Sequence, residues 1–189
     1  MRGKNLLLLL ALVSSLAILP SRAVAEDEDN DCQKVSLANA ANPITGTATL
    51  CASEDGIRGQ ITAHHLIPGD AYTVWFVYFD NPSSCAVPNN CSGADLVNPA
   101  ADPVGVFGRF SSGVADEDGN ARFSGAVHNF TARSGSQVWY ALFVHGPASN
   151  DNKSRARQLL TPETPGLGAP GEGVGTRKGF GVATAIFKF

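Results

Sequence analysis

The sequence predicts an all-β protein, an antiparallel β-sandwich of about seven strands, immunoglobulin-like or Cu/Zn-dismutase-like in shape and stabilised by disulfides. Three observations carry that expectation. Strand-length runs of alternating or continuous apolar residues recur between turn signals. No segment shows the sustained 3.6-residue period of a long helix. Twenty Gly and eleven Pro in 189 residues imply many short elements and many turns.

The chain opens with a segment that does not belong to the sandwich. Arg2 and Lys4 precede Leu6–Leu19, an apolar run broken only by Ser14 and Ser15. Ala23-Val24-Ala25 then offers small residues at the two positions a signal peptidase reads. The run is too short for the ~20 residues of a membrane-spanning helix, and Pro20 ends it. Residues 1–25 are expected to be a signal peptide cleaved after Ala25, which leaves no transmembrane helix and sends the chain to the periplasm or medium. Those residues carry three basic side chains and no acid. Their removal takes the formal net charge from −3 to −6. Such acidity argues against a nucleic-acid partner, which needs a basic face.

Residues 26–44 are expected to be an acidic N-terminal tail, with Glu26-Asp27-Glu28-Asp29-Asn30-Asp31 solvated. A single domain then fills residues 45–189. Thr47–Ser53 reads as a strand ended by the turn Glu54-Asp55-Gly56. Ile57–Leu66 alternates, with Ile57, Ile61 and Ala63 on one face and Arg58, Gln60, Thr62 and His64 on the other. After Pro68-Gly69-Asp70, the segment Tyr72–Phe79 is apolar on both faces and reads as a central strand. Residues 81–103, with four prolines, form an irregular connection. Val104–Val114 reads as a strand whose Gly105, Gly108 and Gly113 suggest a bulge. Asp116–Asn120 turns into Ala121–Phe130. Gln137–His145 is a second strongly apolar strand. Ser154–Leu160 has room for a helical turn, Gly166–Gly175 for none, and Phe180–Phe189 closes the chain as a strand.

An exported chain keeps its cysteines oxidised. Cys32, Cys51, Cys85 and Cys91 allow three pairings. Cys85–Cys91 closes a short turn-rich loop at little entropic cost, and Cys32–Cys51 would tie the tail to the first strong strand. No Cys-x-x-Cys occurs to favour a metal instead.

Three stretches form a pattern as a set. They are Pro68–Pro82 with its Tyr-Thr-Val-Trp-Phe-Val-Tyr-Phe-Asp-Asn-Pro run, the pair Cys85 and Cys91, and Val144-His145-Gly146-Pro147 followed by Gln158-Leu159-Leu160-Thr161. The set resembles an uncharacterised family of exported bacterial β-sandwich proteins over roughly residues 45–161. The resemblance implies export and a β-sandwich and carries no activity. The chain departs from the pattern at its end, where no Cys follows the Gln-Leu stretch.

The chemistry-bearing candidates are few. His64, His128 and His145, with His65, are the candidate ligands for copper or zinc. His64 and His128 both fall on polar strand faces, so a two-strand site is conceivable. His64 and His65 point to opposite sides of one strand, and no His-x-His pair exists, so no cofactor is expected as the first reading. No Gly-x-Ser-x-Gly elbow occurs. With the thiols oxidised, no residues assign themselves as acid, base and nucleophile, so no catalytic residue is named and an enzyme is not the expected reading. Asp116–Asn120 starts like a calcium loop, but Val127 stands where that loop needs a glutamate. Asn129-Phe130-Thr131 and Asn152-Lys153-Ser154 match the glycosylation pattern without bacterial significance.

The sequence therefore points to an exported binding or structural module of unknown ligand and partner. A periplasmic copper- or zinc-binding protein using His64, His128 and His145 is the first alternative. A small outer-membrane β-barrel, suggested by the alternating end Ala183–Phe189, is the second.

Overall fold

In the computed structural model, residues 32–38, 43–97, 107–160 and 182–189 are described. Eight strands and one helix run in the order β1 Cys32–Ala38, β2 Thr45–Ser53, β3 Gly56–His64, β4 Asp70–Phe79, β5 Phe107–Val114, β6 Ala121–His128, β7 Gln137–Pro147, α1 Asn152–Leu160 and β8 Ala183–Lys188. Short 3-10 turns occupy Pro82–Ser84 and Gly93–Val97.

The hydrogen-bonded order is β5-β4-β7-β8-β1-β2-β3-β6, and every pairing is antiparallel. Between β8 and β1 the ladder has one pair, Ala38↔Thr184. The sheet folds there into two four-stranded layers, β5-β4-β7-β8 and β1-β2-β3-β6. At the opposite margin β5 and β6 lie side by side, and the Ser111 hydroxyl donates to the Ser124 carbonyl at 3.0 Å. The result is a disulfide-stabilised antiparallel β-sandwich. An immunoglobulin constant domain places its first, second, fifth and fourth strands in one sheet. Here the first three strands form a meander and the sixth joins them, so the order is a different one.

The inner faces supply the core. Leu37, Leu50, Ile57, Ile61 and Phe123 from one layer meet Tyr72, Phe76, Tyr140, Leu142 and Phe187 from the other. Each such burial contributes about 1.5–3 kcal/mol. The alternation of β2, β3 and β6 produces their one-sided burial. β4 is buried at all ten positions because both its faces are covered. Its odd-numbered residues face outward, where Val77 and Phe79 pack with Trp139, Cys85 and Cys91. The loop closed by Cys85–Cys91 thus roofs one layer, and α1 also packs on that side against β4 and β5.

Two expectations need correction. The stretch 26–44 is not a tail throughout, because Cys32–Ala38 pairs with β2 along its whole length, from Cys32↔Cys51 to Ala38↔Thr45. Residues 26–31, the signal segment and residues 161–181 lie outside the described residues. The alternating strand from Ile57 ends at His64, because His65 adopts a left-handed backbone (φ 60°). Both disulfides, Cys32–Cys51 and Cys85–Cys91, are formed, and no free cysteine remains among the described residues. β5 carries a bulge within the stretch where Gly105, Gly108 and Gly113 suggested a bulge or bend, and it falls at Phe110, since Val74↔Ser111 is followed by Trp75↔Arg109.

Candidate functional site

The histidines are far apart. His64 and His128 do share the outer face of the β1-β2-β3-β6 layer. However, the β3–β6 register sets Gly56 opposite His128, eight residues from His64 along the strand. At ~3.3 Å per residue that separation is about 26 Å, too far for one ion. His64 Nδ1 instead lies 2.7 Å from Asn120 Oδ1, and His65 Nδ1 lies 3.1 Å from the Thr45 hydroxyl. His128 lies on the rim of a niche of about 40 Å³ beside Asp55 and Arg58.

His145 is in the other layer and is 1% exposed. Ala71 pairs with Gly146 and Tyr72 with Val144, so His145 is the bulged residue of β7, and the bulge turns its ring toward Thr73. Its Nε2 is 2.9 Å from the Thr73 hydroxyl. That hydroxyl also accepts from Trp75 Nε1 at 3.2 Å and keeps both a second lone pair and its own proton, so it can meet either tautomer of the ring. Burial holds the imidazole below its ordinary pKa. The expected site of His64, His128 and His145 is therefore not assembled. Among the described residues no group of three His, Cys, Asp or Glu side chains could hold a metal ion.

A concave site exists elsewhere. A pocket of about 180 Å³ is lined by Pro82, Asn89, Gly135, Ser136, Gln137, Lys188 and Phe189. It is built where β7 begins and β8 ends. Phe189 N donates to the Ser136 carbonyl at 3.1 Å, and Gly135 N donates to the Phe189 carbonyl at 2.6 Å. The third wall comes from the Cys85–Cys91 loop. Asn89 takes a left-handed backbone (φ 61°), and its N–H donates to the Pro82 carbonyl at 2.9 Å.

That loop is stiffened twice. The disulfide closes it, and Asp95, 1% exposed, accepts from Ala86 N at 2.7 Å, Ser92 N at 2.7 Å and the Ser92 hydroxyl at 2.8 Å. These donors, Ala86 N foremost, hold its carboxyl below the usual range. The wall is thus held by one covalent tie and three hydrogen bonds to Asp95.

The informative atom is Gln137 Oε1. Gln137 is 1% exposed, and Oε1 has no hydrogen-bond partner in the protein among the described residues. A buried acceptor left so costs about 1–3 kcal/mol. The neighbouring Ser136 hydroxyl lies beside the Tyr78 hydroxyl. Burial, followed by the hydrogen bond to Asp80, raises the Tyr78 pKa, and Ser136 opposes that rise. Lys188, exposed at the mouth, brings the only ammonium among the lining residues.

Comparison with protein-family models, with curated proteins and with solved structures found no match. What the site can do rests on its own chemistry. It brings together the buried Gln137, the Lys188 ammonium and a loop wall tied by a disulfide.

Gln137 gave no signal in the sequence beyond being the polar first residue of an apolar strand. Asn89 and Pro82 stood in a stretch read only as irregular. Their convergence depends on where the β4–β5 connection folds back, and spacing does not encode that.

Proposed function

We propose that the protein is an exported β-sandwich binding module that holds a small polar molecule in the pocket between the β7 start, the β8 end and the Cys85–Cys91 loop. The observation that carries the reading is a pocket lined by Gln137, a buried residue whose side-chain Oε1 has no partner among the described residues, since buried polar atoms in folded proteins are nearly always paired. The cavity, about 180 Å³, has room for a small molecule. The ligand that fits has few heavy atoms, an N–H or O–H to give to Gln137, and a negative or strongly polar group for Lys188. The basic-apolar-small start of the chain and the paired cysteines support export to the periplasm or medium.

Copper or zinc binding is the weaker reading, because about 26 Å separates His64 from His128 and His145 is enclosed. An outer-membrane barrel needs an outward apolar band. The outward residues of β2, β3 and β6 include Thr47, Thr49, Arg58, Gln60, Arg122 and Ser124, which form no such band.

Native mass spectrometry of the protein isolated from the compartment that receives it tests the proposal. A bound small molecule is expected on the wild-type chain and absent from Gln137→Leu, whose fold is checked by its melting curve. A ligand-free wild type that also fails to respond in a thermal-shift screen of small amino, hydroxy and carboxy compounds would leave the structural-module reading in its place.

A further inference from the structure

His64, His65 and His128 are exposed, and His145 is enclosed. Its Nε2 meets the Thr73 hydroxyl. Its Nδ1 is buried and has no hydrogen-bond partner among the described residues. A neutral ring can rest there in either tautomer. An imidazolium carries a proton on both nitrogens, so Nδ1 would become a buried, charged donor with nothing to accept from it. That is far more costly than a neutral atom in the same place.

The charged groups on this side do not compensate. β7 has no other charged side chain. The only acid on β4 is Asp70, which strand parity puts on the inner face with Tyr72. The phenols of Tyr72, Tyr78 and Tyr140 belong to the inner core. β5 presents Arg109 opposite Trp75. α1 carries Lys153, Arg155 and Arg157 and no acid. Asp151 precedes the helix, where it accepts from Ser154 N at 2.7 Å.

α1 packs on β4 and β5, on the side to which Thr73 and Trp75 point. Its attachment is largely polar. Gln158, 4% exposed, donates from Nε2 to the Pro147 carbonyl at 2.9 Å and accepts from Ser149 N at 2.8 Å. Arg155 Nε donates to the Ser149 carbonyl at 2.7 Å. Pro147 is two residues after His145, so the grip on the helix and the ring that resists a proton share one strand end. A helix of nine residues is marginal in water once undocked.

We propose that α1 is an acid-released cover over the outer face of β4. Protonation of His145 favours a state in which the helix has left the sheet, water reaches the ring, and both layers of the sandwich remain folded. The direction follows from burial, which lowers the pKa of the docked ring. Docking is at full strength above the ordinary value of ~6.5 and weakens as pH falls from there toward the docked value. At pH 5 the released state gains at most about 30-fold over the docked one, the factor set by ~1.5 pH units below a solvated imidazole's pKa. The device is independent of the Gln137 pocket, which lies at the other end of β7.

Hydrogen exchange of the full chain, corrected for intrinsic rates and followed at pH 7 and pH 5 over a range of low urea concentrations, tests the proposal. Residues 148–160 should lose protection at pH 5, by up to about 30-fold, through an opening that depends only weakly on urea. β2 and β3 should exchange with the full urea dependence of global unfolding. In His145→Asn the protection of 148–160 should be the same at both pH values. A second arm does not need that variant to fold. Gln158→Ala loosens the helix, so the His145 ring, titrated by NMR, should move toward ~6.5 relative to wild type. Three outcomes would overturn the proposal. They are wild-type protection in 148–160 that ignores pH, exchange of 148–160 only together with the whole sandwich, and a His145 titration unmoved in Gln158→Ala.

Discussion

Replacing Gly59 by Ala probes the centre of the sandwich. A Cβ at that position would overlap the Tyr140 hydroxyl oxygen and lie 2.7 Å from Cζ and 2.8 Å from Cε2, where ordinary contact is 3.4–4 Å. The ring cannot retreat. Its centroid is 4.4 Å from that of Phe110 in a stacked pair and 5.3 Å from that of Phe187 in an edge contact. Overpacking of this kind costs about 1–3 kcal/mol, partly offset by the ~0.4–1 kcal/mol that Ala contributes by restricting the unfolded chain. A net loss of about 1–2 kcal/mol is expected, or about 2–8 °C in melting temperature for a domain of this size. The Tyr140 hydroxyl is itself buried and without a partner among the described residues. Burial alone raises its pKa. Tyr140→Phe should therefore leave stability unchanged or raise it. In the double variant Cζ and Cε2 still crowd the new methyl, so rescue should be partial, with a coupling of at least ~0.5 kcal/mol. Urea unfolding followed by the fluorescence of Trp75 and Trp139 measures all four corners of the cycle. A Gly59→Ala protein as stable as wild type, or a Tyr140→Phe protein weaker by more than ~1 kcal/mol, would refute this packing.

Other perturbations have equally definite outcomes. Because burial depresses the His145 pKa, the unfolded chain binds a proton that the native state resists. The stability linked to the neutral ring is complete above the unfolded value of ~6.5 and is lost as pH falls from there toward the native value. Melting curves should show a smaller drop between pH 7 and pH 5 in His145→Asn than in wild type, and an equal drop would contradict the linkage. Trp75→Ala, emptying a position 6% exposed, should cost ~3–5 kcal/mol by chemical denaturation, and an unchanged midpoint would mean that nothing covers this face. Asp95→Ala leaves the Ala86 and Ser92 N–H groups without their carboxylate. It should destabilise by about 1–3 kcal/mol and speed amide exchange in residues 85–95, and unaltered exchange would remove Asp95 as the loop's anchor. Loss of the Cys85–Cys91 bond in a Ser/Ser variant should cost at most ~2–3 kcal/mol, given its short loop.

The strands that the sequence made legible are those with a strong period or a strong mean. β4 stood out because its partners β5 and β7 and its covered outer face demand apolar residues at every position. β3 and β6 stood out because one face is core and the other solvent. β1 did not, because of its inward positions Gln33, Val35 and Leu37 only the last two are apolar, and the acidic run before Cys32 masked so weak an alternation. Parity placed His64 and His128 correctly on polar faces. It said nothing of register, and register is what separates them. The pocket was illegible for a related reason. Gln137, Asn89 and Lys188 come from a strand start, a loop and a strand end, and only tertiary closure brings them together. The disulfides were more accessible, since loop length alone favoured Cys85–Cys91 and left Cys32–Cys51 as the remainder.

The central claim is that the pocket lined by Gln137 is a site for a small polar ligand, and electron density at high resolution from natively isolated protein tests it most directly. The account predicts density for a compact molecule other than water within hydrogen-bond distance of Gln137 Oε1, at ~2.7–3.2 Å, reaching toward Lys188. A pocket holding only ordered waters bridging Gln137 to its neighbours would contradict it.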